Sequence, residues 1–168
     1  MVERRARAFE ERAAGSLALP RRRDVLTVVK IVVRAVGKMR DRRLEELCGE
    51  YLDRAKRHLP VHVQEVADDA ALRVSAGAGS EIVALDPTGE AWNTDEFTRY
   101  LEKHMVHGTR TLVFLIGGAE GLSDATRAVA TRKFSLSMLT LPHRLARVML
   151  CEQIYRCISR IRGEPYDK

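Results

Sequence analysis

The chain has 168 residues, 45% of them hydrophobic and 31% charged, with a net charge of +6. That balance fits one globular domain with its own core. It excludes a bilayer-spanning helix, which needs an apolar run of ~20 residues. The three cysteines, Cys48, Cys151 and Cys157, are odd in number and contain no CxxC pair. They therefore argue against a disulfide framework and a zinc site, and predict buried thiols in a reducing cytoplasm.

The positive charge is concentrated towards the two ends. Residues 1–24 carry seven basic and four acidic groups, residues 25–130 fourteen and sixteen, and residues 131–168 eight and three. A basic C-terminal region points to a polyanion such as RNA, although excess arginine also suits a solvated helix face.

Residues 1–24 lack apolar periodicity and predict a flexible N-terminal extension, followed by a single domain over 25–168. "VLTVVKIVVRAVG", Val25 to Gly37, is dense in β-branched residues and predicts a buried strand. Asp41 to Leu59 has apolar residues at Leu44, Leu47, Tyr51, Leu52 and Ala55, which is helical spacing on one face. "VHVQEV", Val61 to Val66, alternates as a strand does. Ala67 to Ser80 reads as a short small-residue connection, Glu81 to Asp86 as a buried strand, and "PTGEAWN" as a turn. Asn93 with Glu96 resembles a capping box for a helix over roughly 94–106. Thr111 to Gly118 is a further apolar strand. Ser123 can cap a helix through about Lys133, and a long helix runs from Pro142 to about Arg162. The order predicts an α/β fold with a helix-covered, mostly parallel sheet, in which ligands sit beyond the carboxyl ends of the strands.

Three stretches stand out as candidate sites. "LIGGAEGL", Leu115 to Leu122, places three glycines after a buried strand; it is either a ligand-approach loop or a tight strand-to-helix turn. It is neither GxGxxG nor a Walker loop. "LSMLTLP", Leu136 to Pro142, is apolar and irregular. Its backbone groups need partners, which a ligand with an adenine edge would supply, unless the stretch is an edge strand leading into the helix. His143 is a base, an RNA contact or a local cap. The histidines lack metal-ligand spacing, no HExxH or GxSxG occurs, and neither a metal nor a hydrolase is expected. The last helix carries apolar groups over a wide arc, so it is deeply buried or also packs on a second subunit. Tyr166 in "GEPYDK" can stack on a base or tuck against that helix.

Taken in order, "AVGK", "LD-x-x-G", "FLIGGAEGLS", "LSMLTLPHRLARVMLCEQIYR" and "GEPY-x-K" resemble the ribosomal large-subunit methyltransferase H family, of the SPOUT class, over roughly residues 28–168. The resemblance implies a C-terminal trefoil knot in roughly 110–160, a homodimer paired through it, and S-adenosyl-L-methionine as cofactor. It also implies methylation of the imide nitrogen of a pseudouridine in large-subunit (23S) ribosomal RNA, within an assembled cytoplasmic ribosome. Carried over by motif, the cofactor is held by Leu85, Gly117, Gly118, Leu136, Ser137, Met138, Leu139, Thr140 and Leu141. Catalytic candidates are Tyr166, Asp167 and His143; RNA-binding candidates are Arg144, Arg147, Tyr166 and Lys168. Asp167 stands where the family has His, so the tail presents a carboxylate to RNA phosphates. The connection from Ala67 to Ser80 is shorter than in the family, and residues 1–24 are additional. The same resemblance also accommodates a SPOUT methyltransferase with another RNA target, or a non-catalytic ribosome-binding protein of the same fold.

Overall fold

The computed structural model describes residues 29–167; the predicted extension over 1–24, the first residues of the Val25 strand and Lys168 lie outside them. Five parallel strands form one sheet in the order β2-β1-β4-β3-β5. They are β1 (Lys30–Val36), β2 (Val61–Val66), β3 (Ser80–Ala91), β4 (Thr111–Ile116) and β5 (Arg132–Ser135). The helices are α1 (Arg42–Lys56), α2 (Asp69–Leu72), α3 (Thr94–Val106), α4 (Asp124–Val129) and α5 (His143–Arg162), followed by a 3₁₀ turn at Pro165–Asp167.

The two faces of the sheet are unequal. Ile31, Val33 and Ala35 of β1 point to a large core shared with α1, α3 and α5, including Leu52, Phe97, Leu101 and Ile154. Val32 points to the other face, in a smaller cluster with Leu72, Val113 and Leu122. Arg34 lies on that thinner side. Its guanidinium donates to the carbonyls of Leu72 and Val74 and to Gln64 Oε1, at 3.0 Å for the last. It thereby caps the end of α2 where the connection is too short to supply a longer helix.

Local chemistry accounts for the helix limits. Asp41 accepts from the amides of Arg43 and Leu44 at the start of α1. Asn93 and Glu96 form the reciprocal capping box of α3, at 2.9 and 2.8 Å. Ser123 caps α4, and α5 ends at Gly163, whose φ of 74° is left-handed.

Three expectations are corrected. The Ala67–Ser80 connection contains α2, a single turn capped by Asp68, too short to leave a period. "PTGEAWN" is not simply a turn: β3 runs on to Ala91 through an irregularity between Leu85 and Glu90. The helix after Ser123 stops at Val129 rather than Lys133. Thr131 instead donates through its amide to the Ile82 carbonyl at 2.9 Å, and β5 begins.

Candidate functional site

The carboxyl ends of β4 and β5, with the irregularity midway along β3, open into a cleft of about 690 Å³, within the size range of small-molecule sites. Its floor is Ile116 to Gly121, one wall is Leu85 to Pro87 with Arg127, and the other is Phe134 to Ser137 with Leu139 to His143 and Ala146.

The floor is close-packed backbone. Gly118 accepts from the Gly121 amide at 3.1 Å. A β-carbon on Gly117 would come within 2.3 Å of the Gly121 carbonyl, and no side chain fits there. So the glycines close the loop on itself as well as giving a ligand access. Asp69 of α2 anchors the loop from outside, accepting from the Ser123 amide and hydroxyl and from the Thr126 hydroxyl.

One wall depends on Asp86, which is 3% exposed. Its Oδ1 accepts from the amide and hydroxyl of Thr88, at 2.8 and 2.7 Å, and its Oδ2 from Arg127 Nε at 2.5 Å. Burial pushes its carboxyl pKa up, but the hydrogen bonds from Arg127 and Thr88 outweigh burial and hold it at about 2. The Arg127 guanidinium also donates to Asp124.

The opposite wall follows from β5. A β-carbon on Gly89 would lie 2.6 Å from the Phe134 nitrogen, so only glycine lets β3 and β5 approach. Phe134 is then stacked on Trp92 at 4.6 Å, and beyond it the chain leaves the sheet. Ser135 donates to the Ser137 carbonyl and Ser137 accepts from the Leu139 amide, at 2.8 and 2.9 Å. These two hydroxyls fold the irregular stretch with short local bonds, while much of its remaining edge borders the cleft.

Of the residues expected at a cofactor site, Leu85, Gly117, Gly118, Leu136, Ser137, Leu139, Thr140 and Leu141 line the cleft. Met138 does not: it is 97% exposed and points outward. His143 lines the cleft. Burial pushes its pKa below the ordinary value, and the charges of Arg144 and Arg147 push the same way.

Arg147 is a correction, because it is not a surface cation. It is 2% exposed, donating to Glu65 Oε1 at 2.6 Å and to the Gly37 carbonyl at 2.9 Å. Glu65 Oε1 also accepts from the Met39 amide, so three elements share one network, with Arg147 and Met39 buried and Glu65 at the surface. A buried charge with such partners serves to fix geometry and is withheld from RNA phosphates. Arg144 is partly exposed on α5 and does not line the cleft. Tyr166 does not line this cleft either. It tucks against α5, its ring 4.6 Å from that of Tyr155, its hydroxyl donating to Glu152 at 3.2 Å and Arg156 lying over its face. Burial pushes its phenol pKa up. The backbone of Asp167 closes the 3₁₀ turn.

Two cleft residues escaped sequence reasoning, Asp86 and Arg127. "LD-x-x-G" contained the first, but its partner is 41 residues away and no spacing signals it. Among the described residues no group of three His, Cys, Asp or Glu could hold a metal ion, and no helix is long and apolar enough to cross a membrane.

A parallel sheet with a glycine-floored, largely apolar cleft at its carboxyl edge is matched over residues 29–167 by the model of the family described as predicted SPOUT methyltransferase, and the chain belongs to that class. A ribosomal RNA large subunit methyltransferase H from Sorangium cellulosum is 38% identical over 143 residues, covering 82% of this chain and 99% of the relative. Its counterpart from Heliobacterium modesticaldum is 37% identical, covering 84% and 100%. Within the SPOUT class, the chain is a member of the ribosomal RNA large subunit methyltransferase H family. Among solved structures, the A. aeolicus TrmH/SpoU tRNA modifying enzyme aligns with a TM-score of 0.48 at 13% identity, over 83% of this chain and 77% of that one.

Proposed function

We propose that the protein transfers the methyl group of S-adenosyl-L-methionine to the imide nitrogen of a pseudouridine in large-subunit ribosomal RNA. The observation that carries this reading is the cleft itself. Neutral backbone and apolar side chains from Leu136 to Leu141 face a glycine floor, which suits a nucleoside better than a phosphate. Membership of the methyltransferase H family supplies the reaction class and the RNA.

In this reading the sulfonium makes the methyl group electrophilic. The chain's residues then hold the adenosine between Leu85 and Leu141, keep water from the apolar floor and align the attacking nitrogen. Leu85, Gly117, Gly118, Leu136, Ser137, Leu139, Thr140 and Leu141 hold the cofactor. Met138 is outward instead, and with Leu139 at the cleft rim and Leu145 and Met149 one turn apart on α5 it is among the exposed apolar side chains there, at 97, 75, 42 and 40% exposed in that order. We assign these exposed apolar side chains to a homodimer interface, since a monomer seldom leaves a group of them in water. The basic C-terminal region, a knotted path through roughly 110–160 and action on the cytoplasmic ribosome belong to the same reading.

The test is incubation of the full chain with labelled S-adenosylmethionine and assembled ribosomes, followed by mapping of the label. Label on a pseudouridine imide nitrogen of the large-subunit RNA is expected. Label on another nucleotide would favour a different target, and tight ribosome binding without transfer would favour a non-catalytic role for which the carboxylate of Asp167 gives a reason.

A further inference from the structure

We infer that His143 is the proton acceptor of the methyl transfer, taking the imide proton of the target base as its nitrogen attacks the methyl carbon. The inference rests on the reaction proposed above and names the base that reaction lacks.

Three observations place it there. His143 lines the cleft at the first turn of α5, beside Pro142 and Ala146. Its side chain makes no hydrogen bond with any described residue, so both ring nitrogens are available to a ligand. Nor is it a cap: the first turn of α5 has no side-chain capping bond, which removes the role a histidine after proline would ordinarily fill.

The other polar groups of the cleft are mostly committed or are poor bases, the Thr140 hydroxyl among the latter. Both oxygens of Asp86 accept bonds from Thr88 and Arg127, and a carboxyl held at about 2 is a poor base. The hydroxyls of Ser135 and Ser137 hold the loop. Glu120 on the exposed rim is the remaining carboxylate and the direct rival.

The charges around His143 keep it neutral. Arg144 and Arg147 stand beside it on α5, with Glu65 of β2 engaged below by Arg147. Across the cleft lie the Asp86–Arg127 pair and Glu120. The positive end of a 20-residue helix acts in the same direction as the two arginines. A neutral imidazole can accept a proton; an imidazolium cannot.

The step balances. The imide N–H bond breaks and its proton passes to the imidazole. The nitrogen pair forms the N–CH₃ bond, and the C–S bond breaks with its electrons returning to sulfur. The products are methylated RNA, neutral S-adenosylhomocysteine and an imidazolium that releases its proton to water.

The test compares the full-length wild type, His143→Gln and Glu120→Gln in single-turnover transfer to assembled ribosomes across pH, with S-adenosylhomocysteine affinity measured in parallel. For His143→Gln, affinity within about threefold of wild type is expected, with transfer slowed on the order of 10²-fold. The wild type should lose activity as pH falls through the imidazole pKa, below the ordinary 6.5. His143→Gln should lack that acid limb and Glu120→Gln should keep it. Arg144→Gln should move the limb to higher pH, because one repelling charge is gone. An active wild type with an equally active His143→Gln would overturn the inference and leave the proposed function standing. So would loss of S-adenosylhomocysteine affinity in His143→Gln, or loss of the acid limb in Glu120→Gln. A wild type that transfers to no ribosomal RNA would overturn the function itself.

Discussion

Asp86 ties β3 to α4 within one wall of the cleft through one carboxylate. Its depressed pKa makes it a source of stability above the unfolded value of ~3.9, lost as pH falls through about 2. The displacement corresponds to about 2 kcal/mol. Asp86→Asn keeps the shape but not the charge that Arg127 meets. It should lower the unfolding free energy at pH 7 by about that amount, and denaturant titrations should show less loss of stability between pH 4 and 2 than in the wild type. Single residues are unevenly legible in the sequence. The glycines, Leu85 and Leu136 to Leu141 could be placed from motifs, because backbone access leaves a compositional trace. Arg147 could not. Among the arginines of α5 it looks like its neighbours, and only Glu65, 82 residues earlier, shows that it is internal. Met138 sits within a cofactor-like run, yet the local bonds of Ser135 and Ser137 turn it outward.

Elements were legible where periodicity had room to repeat. The bounds of β2 and the capping box of α3 follow from the sequence, and α5 is delimited by Pro142 and Gly163. β5 was hidden because four residues cannot show alternation and because Thr131 and Arg132 continue an apparently helical run. The far half of β3 was hidden because Pro87 and Gly89 read as a turn. Gly89 is in fact what allows β5 to join. Gly89→Ala would push a β-carbon into the Lys133–Phe134 backbone and separate the wall that carries Leu136 to Leu141. The expected result is a loss of S-adenosylmethionine affinity of at least about tenfold together with a lower melting temperature, since a backbone clash of this kind costs on the order of 2 kcal/mol. Calorimetry and thermal unfolding of the one variant check both.

For the whole molecule, the sheet buries one face under three helices and the other under two short ones. The outward side chains of Met138, Leu139, Leu145 and Met149 gather around the start of α5, beside the cleft. If two copies meet there, each cleft lies near the other subunit, and the tail that packs on its own α5 is carried to the interface. Leu145→Glu with Met149→Glu places charges in that contact. It should convert a dimer to a monomer in sedimentation at micromolar concentration and leave the helix content unchanged. A wild type already monomeric there would remove the interface.

The network of Arg147, Glu65, Gly37 and Met39 also bears on the order in which the protein takes shape during synthesis. Arg147 reaches back 110 residues to the Gly37 carbonyl, and the strand before Gly37 pairs with β4, some eighty positions downstream. A nascent chain leaving the ribosome therefore cannot complete its first loop until its last helix has emerged. β1 can pair with β2 early, but its other edge and the face that α5 covers stay open for most of translation. Only β1, α1 and β2 can assemble early, and the cleft forms only in an essentially finished chain.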